Sequence, residues 1–325
     1  MESNNCVQLK TPSNYVSSNI IHVDELTLNW HITEACNYRC RYCYAHWQDR
    51  PNPRELFHNI NDTKKLLCQL MTFFHPDNQD NPLRSKMDWK SVRLNIAGGE
   101  PSILNGRLLE VINLAKATGF NVSIITNGSN LSEEAINLLA PSLSCLGISL
   151  DSTQSLINRA IGRIDRKGNQ IEIDELIKSI KKARLINPDI TIKLNTVINS
   201  HNWHEDLSDL IQQIKPERWK LLRVLPIIDD SLIVSNEQFN SYIERHHKFR
   251  SIQCIENNQD MRESYLMIDP FGRFFQNSTY IVGSGYVYSQ PILSSSADIA
   301  FSEMSFNAQS FKSRYSPDTA GGFLS

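Results

Sequence analysis

No apolar run in this 325-residue chain approaches the roughly 20 residues that would span a bilayer, so a membrane-spanning protein is not expected. Residues 1–21 are polar and rich in Asn and Ser, and they lack a basic start followed by an apolar block. No secretory signal is read there. Neither sign of charge is in excess. Lys+Arg 33 stand against Asp+Glu 35, for a formal net charge of −2, which leaves no global basic field to hold nucleic acid. An anionic ligand must therefore meet a local cluster of Lys and Arg. The seven cysteines are an odd number in a long chain without a secretory signal, which excludes a disulfide framework and points to a reducing cytoplasm. A glycine-rich dinucleotide turn after the first strand is also missing, which argues against a doubly wound nucleotide-binding sheet.

What is present is a steady alternation of β-rich and amphipathic segments. Hydrophobic residues make up 40%, enough for one large α/β domain or two small ones. Strands are expected at residues 26–33, 92–97, 122–126, 146–150, 190–198 and 219–225. Helices are expected at 62–74, 103–118 (stopped by Gly119), 132–139 (capped by Ser132), 174–186, 204–214 and 237–249. Six strand–helix repeats with short linkers predict parallel strands joined by right-handed crossovers, hence an α/β fold with a partial (β/α)6 barrel. After residue 255 the pattern changes. Two short strands, 264–268 and 273–276, are turned by Asp269-Pro270-Phe271-Gly272, and the remainder is Ser-rich and weakly patterned. The expected layout is a polar segment 1–25, a barrel 26–255, and a C-terminal extension 256–325 that closes over the active site, with a loose tail from Ser316.

Directly after the first strand, Cys36-Asn37-Tyr38-Arg39-Cys40-Arg41-Tyr42-Cys43 places three cysteines in eight residues, followed by the aromatics Tyr44 and Trp47. Thiolates ligate iron through soft sulfur, and a [4Fe–4S] cluster normally takes four of them. Three ligands leave one iron open to a substrate. A closed structural zinc site needs four ligands, and no Cys or His stands at zinc-finger spacing downstream. Cys6, Cys68, Cys145 and Cys254 have no such neighbours; the last three read as small core residues.

With this spacing the chain resembles the radical S-adenosylmethionine (SAM) superfamily, and further signatures follow in order. Gly98-Gly99-Glu100-Pro101 ends the second strand, Asn127-Gly128 ends the third, and Ser149 and Asp151 end the fourth. The resemblance implies a barrel of the radical SAM type, with Cys36, Cys40 and Cys43 on a [4Fe–4S] cluster. It also implies SAM held by Tyr42, Gly98, Gly99, Glu100, Asn127, Ser149, Arg163 and Asn195. Glycines allow close backbone approach, and Glu100 is a charge-matched acceptor for the SAM ammonium.

Between residues 28 and 276 the resemblance narrows to the viperin family. It is carried by Leu28-Asn29-Trp30-His31-Ile32-Thr33, Ile161-Gly162-Arg163, Lys193-Leu194-Asn195-Thr196-Val197-Ile198 and Glu217-Arg218-Trp219-Lys220. Asn258-Gln259-Asp260-Met261 and Ser264-Tyr265-Leu266-Met267-Ile268-Asp269 complete it. Viperins convert a nucleoside triphosphate to its 3′-deoxy-3′,4′-didehydro analogue, a chain terminator that acts in antiviral defence. The implied route is cleavage of SAM to a 5′-deoxyadenosyl radical, abstraction of the ribose 4′-hydrogen, and loss of the 3′-hydroxyl as water with one electron and one proton. The implied partners are CTP, UTP or GTP and an electron donor such as flavodoxin or ferredoxin, with neither nucleic acid nor membrane. Asn29 is implied to meet the nucleotide, and Tyr265 to give the proton to the leaving hydroxyl.

Charge placement agrees with an anionic substrate. Arg93, Lys193, Arg218 and Lys220 lie on strands, where apolar residues are the default. Arg93 and Asn95 alternate with Leu94 and Ile96, and Lys193 and Asn195 with Ile192 and Leu194. Period-two spacing puts each polar pair on one face, the expected lumen. A buried cation without an anionic partner costs several kcal/mol, so these positions expect a phosphate or a carboxylate. The chain departs from the family at its end. Basic residues that close over the terminal phosphate are missing from 277–293, and Lys312 and Arg314 stand as their substitutes. His246-His247 reads as a polar helix face, and Gly283-Ser284-Gly285 as a phosphate-loop imitation without a following helix.

Two other functions remain open. A peptide-modifying radical SAM maturase usually carries a Cys-rich C-terminal extension, whereas only Cys254 borders this one. A SAM or nucleotide sensor would bind without cleaving.

Overall fold

Apolar and polar residues alternate along the two long strands that begin the fold, β1 (Ile21–Thr33) and β2 (Met87–Gly98). In β1 the side chains of Leu26, Leu28, Trp30 and Ile32 are fully buried on one face, which leaves Asn29 and His31 on the other. A computed structural model describes residues 20–43, 48–225, 230–256, 263–277 and 286–315. Tyr44, Trp47, the 258–261 motif, Gly283-Ser284-Gly285, Cys6 and the tail from Ser316 lie outside the described residues.

The remaining strands are β3 (Asn121–Thr126), β4 (Cys145–Ser149), β5 (Thr191–Ile198), β6 (Arg218–Arg223), β7 (Gln253–Glu256), β8 (Leu266–Ile268), β9 (Arg273–Asn277) and β10 (Tyr286–Pro291). The helices are α1 (Ile60–Phe74), α2 (Gly106–Thr118), α3 (Glu133–Leu139), α4 (Ser155–Ala160), α5 (Ile173–Ile186), α6 (Ser208–Ile214), α7 (Asn236–Arg245), α8 (Ile292–Ser295), α9 (Ala297–Ser302) and α10 (Ala308–Tyr315). Local chemistry sets several boundaries. The Asn59 side chain accepts from the first backbone N–H groups of α1, Ser132 caps α3, and Gly119 ends α2 at φ 108°.

All strands belong to one ten-stranded sheet of order β10-β9-β8-β1-β2-β3-β4-β5-β6-β7. Strands β1 to β7 run parallel. β8 joins the other edge of β1 in parallel, and β9 and β10 continue antiparallel. The sheet curls. Tyr265, just before β8, touches Lys220 on β6 and Glu256 on β7, although β8 and β7 are far apart in strand order. The result is an incomplete barrel whose gap between β7 and β8 is crossed by side chains rather than by a ladder. Among the described residues no helix is long and apolar enough to cross a membrane.

Several expectations change. β7 is a seventh parallel strand: only four residues long and of mixed polarity, it shows little periodicity. The segment 204–214 becomes helical only at Ser208, and 237–249 divides into α7 and a 3-10 turn, His247–Ile252. His246 is fully buried rather than on a polar face. Its Nε2 accepts from Leu207 N at 2.9 Å, and its Nδ1 lies 2.8 Å from Tyr242 O. Cys68 is exposed, not in the core. The extension also differs. α8 and α9 pack against α1, and α10 lies by Ile21 and Arg218 at the strands' N-terminal ends, opposite the expected mouth.

Candidate active site

The cysteine loop leaves β1 at the C-terminal end of the barrel and is fastened by three backbone hydrogen bonds. Cys36 N donates to Gln48 O at 3.0 Å, Arg39 N to Gly162 O at 3.1 Å, and Arg41 N to Ile161 O at 3.0 Å. Gly162 has φ +78°, and a Cβ there would stand 2.1 Å from Arg39 O, so only glycine lets these loops dock. Gly99 meets the same limit from β2, since its Cβ would lie 2.0 Å from Ala35 O. Gly99 N donates to Thr33 O at 2.7 Å and Glu100 N to Ala35 O at 2.8 Å. The double glycine thus serves the cysteine loop directly.

Cys36, Cys40 and Cys43 form no disulfide and are partly exposed, and Tyr38 N donates to Cys36 Sγ at 3.4 Å. Burial, with a smaller contribution from neighbouring cysteine sulfur, pushes the Cys36 and Cys40 thiols up to about 12. The three sulfurs therefore share one neighbourhood, as the ligands of one metal group must. No group of three or more metal-ligating side chains among the described residues is drawn into metal-holding geometry. The donor set, three soft thiols beside a chain of backbone clamps, fits an iron–sulfur group.

Around this loop the expected SAM residues divide into braces and open positions. Glu100 is buried, and its carboxylate is taken by protein donors: Ser102 N at 2.9 Å, Thr126 Oγ1 at 2.7 Å and Asn127 N at 2.6 Å. Glu100 is thus a brace between β2 and β3, in addition to any contact it makes with an ammonium. Asn127 Nδ2 donates to Asn37 Oδ1 at 2.8 Å, tying the third strand's turn to the cysteine loop. Arg163 is buried beside Asp151 at 3.6 Å and donates to Tyr42 Oη at 3.1 Å, while Tyr42 donates to Asp151. A second Arg163 nitrogen donates to Ser149 O. Asn195 neighbours Ser149 in the β4–β5 register, and its buried Oδ1 has no partner, an acceptor aimed at the lumen.

Deeper in the lumen an amide chain crosses the sheet. Ser123 Oγ donates to Asn95 Oδ1 at 2.8 Å, Asn95 Nδ2 to Asn29 Oδ1 at 2.9 Å, and Asn29 Nδ2 to Leu266 O at 3.4 Å. Next to it lies a cluster of cations. Lys220 Nζ donates to Tyr265 Oη at 2.6 Å and pairs with Glu256. Arg314, reaching in from α10, pairs with Glu256 at 2.6 Å, donates to Tyr265 Oη, and lies 4.1 Å above the tyrosine ring. Arg218 donates to Cys254 Sγ at 3.3 Å and to Arg314 O. Burial, then Lys220 and Arg218, lower Lys193 to about 7. Burial and then Glu256 hold the Tyr265 phenol well above its ordinary range.

Lys193, Arg218, Lys220, Arg314 and Tyr265 are thus brought together, as are Asn29 and Asn95. Two expected nucleotide residues stand differently. Arg93 pairs with Glu25 on β1 rather than with Glu256, and its charge, like those of Lys193 and Arg218, is felt by the buried Cys145 thiol. Lys312 lies two residues, about 200° of helix, from Arg314 and so on a different face of α10. Glu256, Asp151 and Glu25 were not foreseen as partners. The signal for Glu256 was available in its period-two spacing from Cys254, but the strand is too short to display it.

Residues 30–214 match the Radical SAM superfamily. The chain is 43% identical over 293 residues to an S-adenosylmethionine-dependent nucleotide dehydratase of Pseudoalteromonas ulvae, covering 90% of this chain and 94% of that one. It is 42% identical over 291 residues to the protein of that name from Psychrobacter lutiphocae, covering 90% and 95%. Among solved structures, native anSMEcpe with bound AdoMet matches with TM-score 0.64 at 11% identity, covering 90% of this chain and 84% of that one, a likeness of fold.

Proposed function

The chain belongs to the family of S-adenosylmethionine-dependent nucleotide dehydratases, within the radical SAM superfamily, and we propose that it converts a nucleoside triphosphate to the 3′-deoxy-3′,4′-didehydro analogue. The observation that carries this reading is the gathering of Lys193, Arg218, Lys220 and Arg314 around Glu256. A buried excess of positive charge of this size suits a polyphosphate.

Cys36, Cys40 and Cys43 would hold a [4Fe–4S] cluster, which with SAM supplies hydrogen-abstracting chemistry when bound. The Asn195 amide and Arg163, fixed by Asp151 and Tyr42, would orient SAM. The Asn29–Asn95 pair offers amide groups to the sugar. Tyr265 holds a proton at neutral pH, and Lys220 and Arg314, both donating to its oxygen, stabilise the phenolate left when that proton goes to the departing hydroxyl.

Anaerobic incubation of the reconstituted, reduced protein with SAM and, separately, CTP, UTP, GTP and ATP tests the reading. The expected result is 5′-deoxyadenosine release that depends on one or more nucleotides, with a product lighter by one water. Cleavage of SAM at the same rate with every nucleotide and with none would send the substrate search toward peptides.

Lys220→Ala is expected to weaken nucleotide binding by ~30-fold or more, following the ~2–5 kcal/mol cost of removing one partner of a buried charge pair. Iron content and uncoupled SAM cleavage should change much less; an unchanged nucleotide affinity would remove Lys220 from the phosphate site.

Lys193 gives a pH signature. Charged below about 7 and neutral above it, it is pulled back to the charged form by a phosphate. Nucleotide affinity should therefore fall as pH rises above 7, by up to ~tenfold per unit. Lys193→Met should flatten that slope, and comparing the two proteins cancels the titration of the nucleotide itself.

A further inference from the structure

Glu256, the last residue of β7, is 4% exposed and stands at the junction of four elements. One of its oxygens meets Lys220 of β6, and the other meets Arg314 of α10 at 2.6 Å and the Tyr265 phenol at 3.3 Å. Arg218 is linked to the same group through the Arg314 carbonyl, and the charge of Lys193 is felt by Glu256. A buried carboxylate would ordinarily resist ionisation. Burial does raise this one, but Lys220 and then Arg314 outweigh it and leave Glu256 below its usual range, hence ionised at neutral pH. One negative charge is therefore set among Lys220, Arg314 and Arg218, with the titrating Lys193 beside them.

That carboxylate takes the N–H groups of Lys220 and Arg314 that phosphate oxygens would take. It also holds the two cations and Tyr265 at fixed separations despite their mutual repulsion. It cannot do both of these things and leave an incoming anion unopposed, because like charges a few ångströms apart in a poorly screened interior repel strongly.

We infer that Glu256 is an internal competitor for the substrate polyphosphate: a resident anion that keeps Lys220, Arg314 and Tyr265 assembled and weakens ground-state binding of the triphosphate. The inference rests on the reading of this cluster as a polyphosphate site. It makes Glu256 a positioning residue, acting through the cations and the phenol rather than on the reacting sugar. Weaker ground-state binding keeps the triphosphate from being trapped, which is consistent with affinity being useful only where it grows toward the transition state.

The test reads the sign of an affinity change, which a merely structural role would not reverse. Binding of inorganic tripolyphosphate is measured by calorimetry on the full chain at pH 7 and low ionic strength. Glu256→Gln should bind tripolyphosphate about tenfold more tightly than the unaltered protein, while melting at a lower temperature without ligand and gaining more on adding it. Arg314→Gln alone should bind more weakly. The pair Glu256→Gln with Arg314→Gln removes one charge of each sign, so it is easier to fold and should bind close to the unaltered protein. Equal or weaker binding by Glu256→Gln, including no detectable binding by either protein, overturns the inference. If Glu256→Gln does not fold, a paired variant as weak as Arg314→Gln alone overturns it. Nucleotide turnover by the unaltered protein is a separate readout. Its failure beside tighter tripolyphosphate binding would sink the dehydratase reading and leave the competitor in place.

Discussion

Cys40→Ala should reduce SAM cleavage to background while leaving nucleotide affinity within about threefold of the unaltered protein, the usual independence of well-separated sites. Cys40 sits in the loop clamped by Gly162 and Ile161, whereas the cations of the proposed phosphate site project from β5, β6 and α10. A thiol that burial pushes up to about 12 is no free nucleophile, so its removal should take away the proposed cluster ligand and little else. Iron content after reconstitution and release of 5′-deoxyadenosine are the two readings. Loss of cleavage with retained binding is the expected pattern. Full activity from the Ala variant would mean that the loop does not carry the cluster. The same variant distinguishes an enzyme from a sensor, because a sensor's output survives the loss of cleavage.

With Tyr265→Phe, the expected effect is a fall in nucleotide turnover of about 10²- to 10⁴-fold, the range typical of a lost general acid. The ring would still lie beneath Arg314, and Lys220 and Arg314 would still share Glu256, so binding should move only a few-fold. The diagnostic is a split: turnover collapses, nucleotide affinity stays, and SAM cleavage continues without forming the dehydrated product. Parallel losses of binding and turnover would instead make Tyr265 a structural member of the cation cluster.

How much of this was legible in the sequence depended on the range of the forces involved. The six long strands announced themselves because Trp30, Leu94, Ile192 and Trp219 bury one face while Asn29, Asn95, Lys193 and Lys220 occupy the other, a local rule of period two. The hairpin of β8 and β9 was equally local, since Gly272 supplies the positive φ its turn needs. β7, β10 and α8 to α10 were not seen, because short or Ser-rich segments are held by tertiary contacts more than by their own pattern. The cysteine loop was read from spacing alone. The pairing of Arg314 with Glu256 could not be read, because it joins residues 58 positions apart through the curl of the sheet. For the same reason the Glu25 partner of Arg93, on the adjacent strand, could not be named from the sequence.

The most direct test of the central claim uses a nucleoside triphosphate deuterated at the ribose 4′ carbon, with the base chosen from those that support SAM cleavage. Reduced protein, SAM and this nucleotide are incubated anaerobically, and both products are weighed by mass spectrometry. The account predicts deuterium in 5′-deoxyadenosine and a nucleotide that has lost that deuterium together with its 3′-hydroxyl. Deuterium remaining on an unchanged nucleotide, beside unlabelled 5′-deoxyadenosine, would contradict it.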